Sequence, residues 1–248
     1  MKFNTIITMI QKELKIRILD LIKKLAGKVL ANPTSINRIV KKPVIDKLLK
    51  KALGRTLDVG CGGGMFTFEL LCDRSDEVVA IDISRKHVEL VHSRARIKNI
   101  KNINVVQSSI YDIPLIEDLF NIVFCTEVIE HLQDDDRAIS ELQRVLKPGG
   151  LLLISTPVLP NIFYDPAHVR QGYTEKELSA KLANFGFDIV AVEYCIFKLS
   201  QIALKLYYLL KIPMPVLFLS HIERRFPKLS RLGKPMDMIM LCKKRLNE

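Results

Sequence analysis

Two short apolar runs, the first closed by glycines and the second by a carboxylate, constrain this chain more than any other feature. Leu57-Asp58-Val59 runs into Gly60-Cys61-Gly62-Gly63-Gly64, and Val78-Val79-Ala80-Ile81 runs into Asp82, 22 positions beyond Gly60. Apolar runs of this length read as buried strands. Phe66, Phe68, Leu70 and Leu71 then begin a helix behind the first turn. A turn this rich in glycine lets backbone pass where a Cβ would collide with a ligand. An acid about 20 residues further on suits a bidentate grip on ribose hydroxyls. The pair of runs therefore predicts an adenosine-containing ligand held over the ends of two parallel strands.

The spacing of the glycines narrows the ligand. Dinucleotide sites use G-x-G-x-x-G, whose last glycine admits a pyrophosphate to the helix N-terminus. Here Met65 stands where that pattern needs glycine, and Asp58 would repel a pyrophosphate while suiting an ammonium group. The stretch LDVGCGGGMFT resembles the first motif of the class I S-adenosylmethionine (SAM) methyltransferases. That resemblance implies that Asp58, Gly60, Cys61 and Gly62 lie at the methionine end and that Asp82 holds the ribose. It further implies that Ile83, Ser109, Ile110 and Thr126 border the cofactor. Ser109 and Ile110 occupy the third-strand position, where the family usually has an acid facing the adenine amine, and a serine hydroxyl can accept the same bond.

Strands are read at 56–60, 78–82, 103–107, 120–125 and 151–155, with helices near 64–72, 85–98 and 134–146. Strict alternation of this kind means a parallel sheet covered on both faces. Asp134-Asp135-Asp136 opens the third of these helices, and Lys147-Pro148-Gly149-Gly150 marks the turn after it. Thr174 to Glu177 is a capping box, and Gly186 ends the helix it starts. Strands at 187–194 and 236–242 complete the count. The expected fold is α/β: a Rossmann-like seven-stranded, mostly parallel sheet with helices on both faces and an antiparallel last strand. Its division runs 1–50 for N-terminal basic helices, 51–195 for the SAM-binding core, 196–235 for an apolar and basic insertion, and 236–248 for the last strand and tail. Within the first part, Ile7 to Val29 repeats as an amphipathic basic helix, and a second helix follows Pro43 through Leu53 to Gly54.

Charge is segregated. Residues 1–51 hold 13 Lys/Arg against 3 Asp/Glu, residues 196–248 hold 11 against 3, and the remainder holds 14 against 21. An acidic centre with basic flanks favours flanks that meet an anionic surface, either lipid head groups or RNA. The five cysteines form no C-x-x-C pair, and Cys61, Cys125 and Cys195 sit in or beside apolar runs, as buried thiols in a reducing compartment would. The start has no small-residue cleavage site, and the longest apolar stretch, 202–219, is broken by Lys205, Lys211, Pro213 and Pro215. A cytoplasmic protein is expected, with peripheral membrane contact through its flanks.

The second informative cluster is Glu127-x-x-Glu130-His131, just past the end of the fourth strand, with His168 on the loop after the fifth. Open α/β sheets bind ligands at such strand ends. Two carboxylates and two imidazoles would hold Mg²⁺, Mn²⁺ or Zn²⁺ and polarise a hydroxyl; alternatively, His131 is a lone general base. The spacing resembles that of ubiquinone-pathway O-methyltransferases and of enzymes that 2′-O-methylate the 3′ ends of small RNAs. The expectation is methyl transfer to a small-molecule acceptor, at oxygen and on an apolar or lipid-linked substrate. An RNA 2′-O-methyltransferase and an inactive SAM-binding scaffold at a membrane are the alternatives. Tyr164 and Tyr173 are candidates to line the acceptor pocket, while His87, His92 and His221 read as surface residues. Oligomeric state leaves no trace in the sequence.

Overall fold

The computed structural model describes residues 33–49, 53–160, 164–210, 222–223, 225–226 and 233–246. The helix expected over residues 7–29, and His221, lie outside them. The chain divides into two units, residues 1–40 with 197–233, and residues 41–196 with 234–248.

The second unit is built on one sheet of seven strands: β1 (Gly54–Val59), β2 (Ser75–Asp82), β3 (Ile103–Gln107), β4 (Phe120–Thr126), β5 (Leu146–Pro157), β6 (Phe187–Cys195) and β7 (Asp237–Lys244). Their order is β3-β2-β1-β4-β5-β7-β6. β1 pairs in parallel with β2 and β4, and β7 runs antiparallel between β5 and β6. The expected architecture is therefore the observed one, including the antiparallel last strand. Val78, Ala80, Val123, Phe124 and Leu153 are all buried, as the central strands of a sheet covered on both faces must be. Strand order reverses between β1 and β4, so their carboxyl ends open the crevice where such sheets bind ligands.

Helices α1 (Pro33–Leu48), α2 (Arg85–Ile97), α3 (Asp135–Val145), α4 (Glu175–Asn184) and α5 (Lys198–Leu210) accompany the sheet in sequence. On α3, Ala138, Ile139, Leu142 and Val145 fall on one helical face and are buried, the i, i+4, i+7 stripe that drives packing on a sheet. Asp134 caps α3 by accepting from the Arg137 amide at 3.0 Å. Thr174 caps α4 by accepting from Glu177 N at 3.2 Å. The Glu177 carboxylate, however, accepts from Arg170 Nη1 at 2.8 Å, in an ion pair.

Three local expectations change. The helix placed after Pro43 begins ten residues earlier, at Pro33, and ends at Leu48. Proline at the first helical position sacrifices no bond. Pro43 removes one bond mid-helix, and burial of Val40, Ile45 and Leu49 offsets that loss. Lys147-Pro148-Gly149-Gly150 makes its turn inside β5 rather than before it, since Phe120 pairs with Leu146 and Ile122 with Leu151. The helix behind the first glycine turn contains a π turn, Thr67–Leu71, closed by Cys72 N on Thr67 O at 2.9 Å. Among the described residues no helix is long and apolar enough to cross a membrane.

Candidate active site

The glycine turn is fastened to β2. Gly60 N and Cys61 N both donate to Ile81 O, at 2.8 and 3.0 Å. Gly62 N donates to Asp82 Oδ2 at 2.8 Å, and Ser84 N to Asp82 Oδ1 at 2.8 Å. Asp82 thus accepts one backbone bond on each oxygen and so shapes the turn. Gly60 has φ +67°, and a Cβ there would lie 2.4 Å from Val128 Cγ2. Gly62 also has positive φ, but its missing Cβ faces open space. The first glycine is required by packing and the second leaves a cradle. Ile83, next to Asp82, is 73% exposed.

Two residues of α2 complete this corner and escaped the sequence reading. Arg94 Nη1 donates to Gly63 O at 2.5 Å, and His87 Nδ1 lies 3.3 Å from Asp82 Oδ1. His87, its side chain 45% exposed, is thus a surface residue that also neighbours Asp82. The signal was their spacing: His87, Val91 and Arg94 share one helix face, of which only Val91 is buried.

Asp58 sits on β1 at 3% exposure and accepts from Thr67 Oγ1 at 2.5 Å. Burial raises its carboxyl, the Thr67 bond pulls it down and the Asp82 charge adds to the rise, so that it stands at about 7. Burial and the Asp58 and Asp82 charges raise the Cys61 thiol, so it stays protonated. Ser109 Oγ accepts from Tyr111 N at 3.2 Å, and Ile110 is buried beside it. All five cysteines are free and buried.

Beyond β4 the backbone turns left-handed at Glu127, φ +57°. Glu127 Oε1 accepts from Ser155 Oγ at 2.8 Å and pairs with Lys41 Nζ at 2.6 Å. Lys41, fully buried, also pairs with Asp237 Oδ2 at 3.0 Å. A short 3₁₀ turn, Ile129–His131, follows. Glu130 is 0% exposed, and neither carboxylate oxygen has a hydrogen-bond partner. Burial first, and the Glu127 charge second, raise its carboxyl well above the usual range.

His131 and His168 meet edge to face, ring centroids 4.6 Å apart. His131 Nδ1 lies 3.0 Å from Ala167 O; a carbonyl only accepts, so Nδ1 is the donor and Nε2 lies outside that bond. Burial, then His131, lowers the His168 pKa. One ligand atom each from Glu130, His131 and His168 lie within 4.8 Å of one another. Of the four residues expected to hold a metal, three converge and Glu127, whose Oε1 is engaged by Lys41 and Ser155, is not among them. Tyr173 is also not a pocket wall: it is fully buried and donates to Asp135 Oδ2 at 2.6 Å. Tyr164 is 79% exposed on the same loop.

Lys41 carried a faint signal. Lys41, Ile45 and Leu49 follow one helical stripe, so a lysine stood on the apolar face of α1.

Comparison with known proteins bears on the fold and the family. The sequence model of a family described as "Methyltransferase domain" matches residues 50–184. A ubiquinone biosynthesis O-methyltransferase of Rickettsia akari (strain Hartford) is 34% identical over 125 residues, covering 50% of this chain and 49% of that protein. A probable S-adenosylmethionine-dependent methyltransferase of Mycolicibacterium smegmatis is 31% identical over 155 residues, 59% of this chain and 57% of its own length. The chain thus spans about half the length of these curated relatives. A crystal structure of a SAM-dependent methyltransferase from Aquifex aeolicus superposes with TM-score 0.60 at 20% identity, covering 90% of this chain and 97% of that one. With a glycine cradle, a carboxylate at the end of β2 and a family model matching more than half its length, the chain belongs to the class I SAM-dependent methyltransferases.

Proposed function

We propose that this chain transfers a methyl group from SAM to a hydroxyl of a small molecule. The observation that carries the reading is the meeting of two half-sites at neighbouring strand ends, the glycine cradle over β1 and β2 and the imidazole pair beyond β4. The residues fit the cofactor: Gly62 leaves open space, Asp58 is a buried carboxylate suited to an ammonium group, and Ile83 offers exposed apolar surface beside Asp82. When bound, SAM supplies a methyl carbon on a sulfonium sulfur, an electrophile that arrives already activated.

The protein's part is then alignment, exclusion of water and removal of the acceptor proton. Asp82 binds the ribose hydroxyls, Ile83 and Ile110 flank the adenine, and Ser109 faces its edge. Asp58, Gly60, Cys61, Gly62 and Thr126 border the methionine end. His131 takes the acceptor proton on Nε2, the nitrogen that its contact with Ala167 leaves free. Oxygen as the acceptor atom is supported by the relative named for O-methylation in ubiquinone biosynthesis. An apolar or lipid-linked acceptor would suit the apolar residues of the 196–235 insertion, whose lysines would favour a membrane surface.

A second reading rests on Glu130. A buried carboxylate with both oxygens unpartnered beside two imidazoles is a donor set for a divalent ion. Glu130, His131 and His168 would hold Mn²⁺, Zn²⁺ or Mg²⁺, the nitrogen ligands favouring the first two, and the ion would acidify the acceptor hydroxyl.

A SAM-turnover screen over phenols, quinone precursors, lipids and RNA, with and without chelator, separates the readings. His131→Ala is expected to lower kcat about a hundredfold or more while SAM affinity stays within about twofold, since no cofactor-holding residue changes. Equal loss of both would place His131 in the cofactor site and remove it as the base. Turnover confined to RNA, with binding that weakens steeply as salt rises, would replace the small-molecule acceptor with RNA.

A further inference from the structure

Thr67 is fully buried and donates its hydroxyl to Asp58 Oδ2 at 2.5 Å, and Asp58 is itself buried. The two residues stand nine positions apart and bracket the glycine turn, Asp58 on β1 and Thr67 on the helix behind it. Two local features bring the hydroxyl there. Phe68 N donates to Gly64 O at 3.1 Å, and the Phe68 ring takes the space a side chain on Gly64 would need, since a Cβ there would lie 2.7 Å from Phe68 Cε2. Thr67 then opens the π turn closed by Cys72, a rare helical form that recurs at functional sites. The residues in register with Asp58 on the neighbouring strands are Ala80 and Phe124, whose side chains donate nothing. A carboxylate taken out of water depends on the donors it keeps, so this bond bears on both its orientation and its charge.

We propose that Thr67 is a positioning residue for the methionine end of the cofactor site, its hydroxyl clasping Asp58 by Oδ2 so that the carboxylate meets an ammonium group. The inference rests on the assignment of Asp58 to that end and adds the residue that prepares it. A donor to a carboxylate favours the ionised form, so Thr67 opposes the burial that raises the Asp58 carboxyl. The other titratable groups that face Asp58 are Asp82 at the end of β2 and the thiols of Cys61 in the turn, Cys72 after the π turn and Cys125 on β4. Burial pushes all three thiols up, so they stay neutral around neutral pH.

The test is calorimetric titration of the full chain with SAM at about pH 6 and about pH 8.5, comparing the parent with Thr67→Val, which keeps the shape and removes the hydroxyl. Loss of the donor is expected to move the Asp58 titration up from about 7 by about one pH unit. The deficit of Thr67→Val relative to the parent should therefore be at least about fivefold larger at the lower pH than at the higher. Titration of SAM itself cancels in that ratio. Thr67→Ser, which restores the hydroxyl, should return the parent's profile. In an Asp58→Asn background, Thr67→Val should cost about twofold or less at either pH, because Thr67 acts through the Asp58 charge. Thr67→Ala is titrated as a second variant without the hydroxyl, and thermal melts identify the folded protein. A deficit that is the same at both pH values would make Thr67 a packing residue of the turn and overturn the proposal, as would a pH-dependent loss that persists in Asp58→Asn. A parent profile that matches that of Asp58→Asn would instead remove Asp58 from the methionine end, and the proposal with it.

Discussion

Asp82→Ala is expected to bind SAM at least about a hundredfold more weakly than the parent chain. Charge-assisted hydrogen bonds are each worth roughly 1.5–3 kcal/mol, and two ribose hydroxyls on one carboxylate make a loss of about 3 kcal/mol or more. A second loss adds to the first. The same carboxylate accepts from Gly62 N and Ser84 N, so its removal also frees the turn that forms the cradle. Asp82→Asn separates the two effects, because its amide oxygen can still accept one of these backbone bonds. It should lie between Asp82→Ala and the parent. Unaltered affinity in Asp82→Ala by calorimetry would remove Asp82 from the cofactor site.

Asp58→Asn is expected to move stability and binding in opposite directions. Burial raises the Asp58 carboxyl from the ordinary 3.8 to about 7. Between those values the folded chain holds a proton that the unfolded chain has released, so stability falls as pH rises through that window. Above pH 7 the ionised carboxylate costs the fold on the order of 4 kcal/mol before relaxation. Asparagine removes that cost and keeps an acceptor for Thr67, so the melting temperature at pH 8 should rise by roughly 5 °C. SAM affinity should drop at least about tenfold, because an ammonium group prefers the anion. The parent chain should also lose affinity about tenfold per pH unit below 7 as Asp58 takes up its proton, whereas Asp58→Asn should show a flat profile. A lower melting temperature at pH 8, or matching pH profiles, would contradict the assignment.

The sheet was readable because its signals are local. Val78 to Ile81 is apolar at every position, as a strand buried on both faces requires, and the glycine turn and Asp82 bracket it at a spacing few other folds use. The capping residues Asp134 and Thr174 are likewise local, and each accepts the bond its type predicts. What the sequence hid depends on contacts between distant segments. Glu127 looked like a ligand by its spacing to Glu130 and His131, but Lys41 and Ser155 stand 86 and 28 positions away and claim its carboxylate. Tyr173 looked like a pocket residue until Asp135, 38 positions upstream, took its hydroxyl. Pro43 looked like a helix start because proline breaks helices on average, and burial of its neighbours overrode that average.

The central claim is that the crevice over β1 and β2 holds SAM. Isothermal titration of the purified full chain with SAM at pH 8, where Asp58 is ionised, tests it most directly. The account predicts saturable one-to-one binding in the micromolar range; no heat of binding up to millimolar SAM from a chain that melts cooperatively would contradict it.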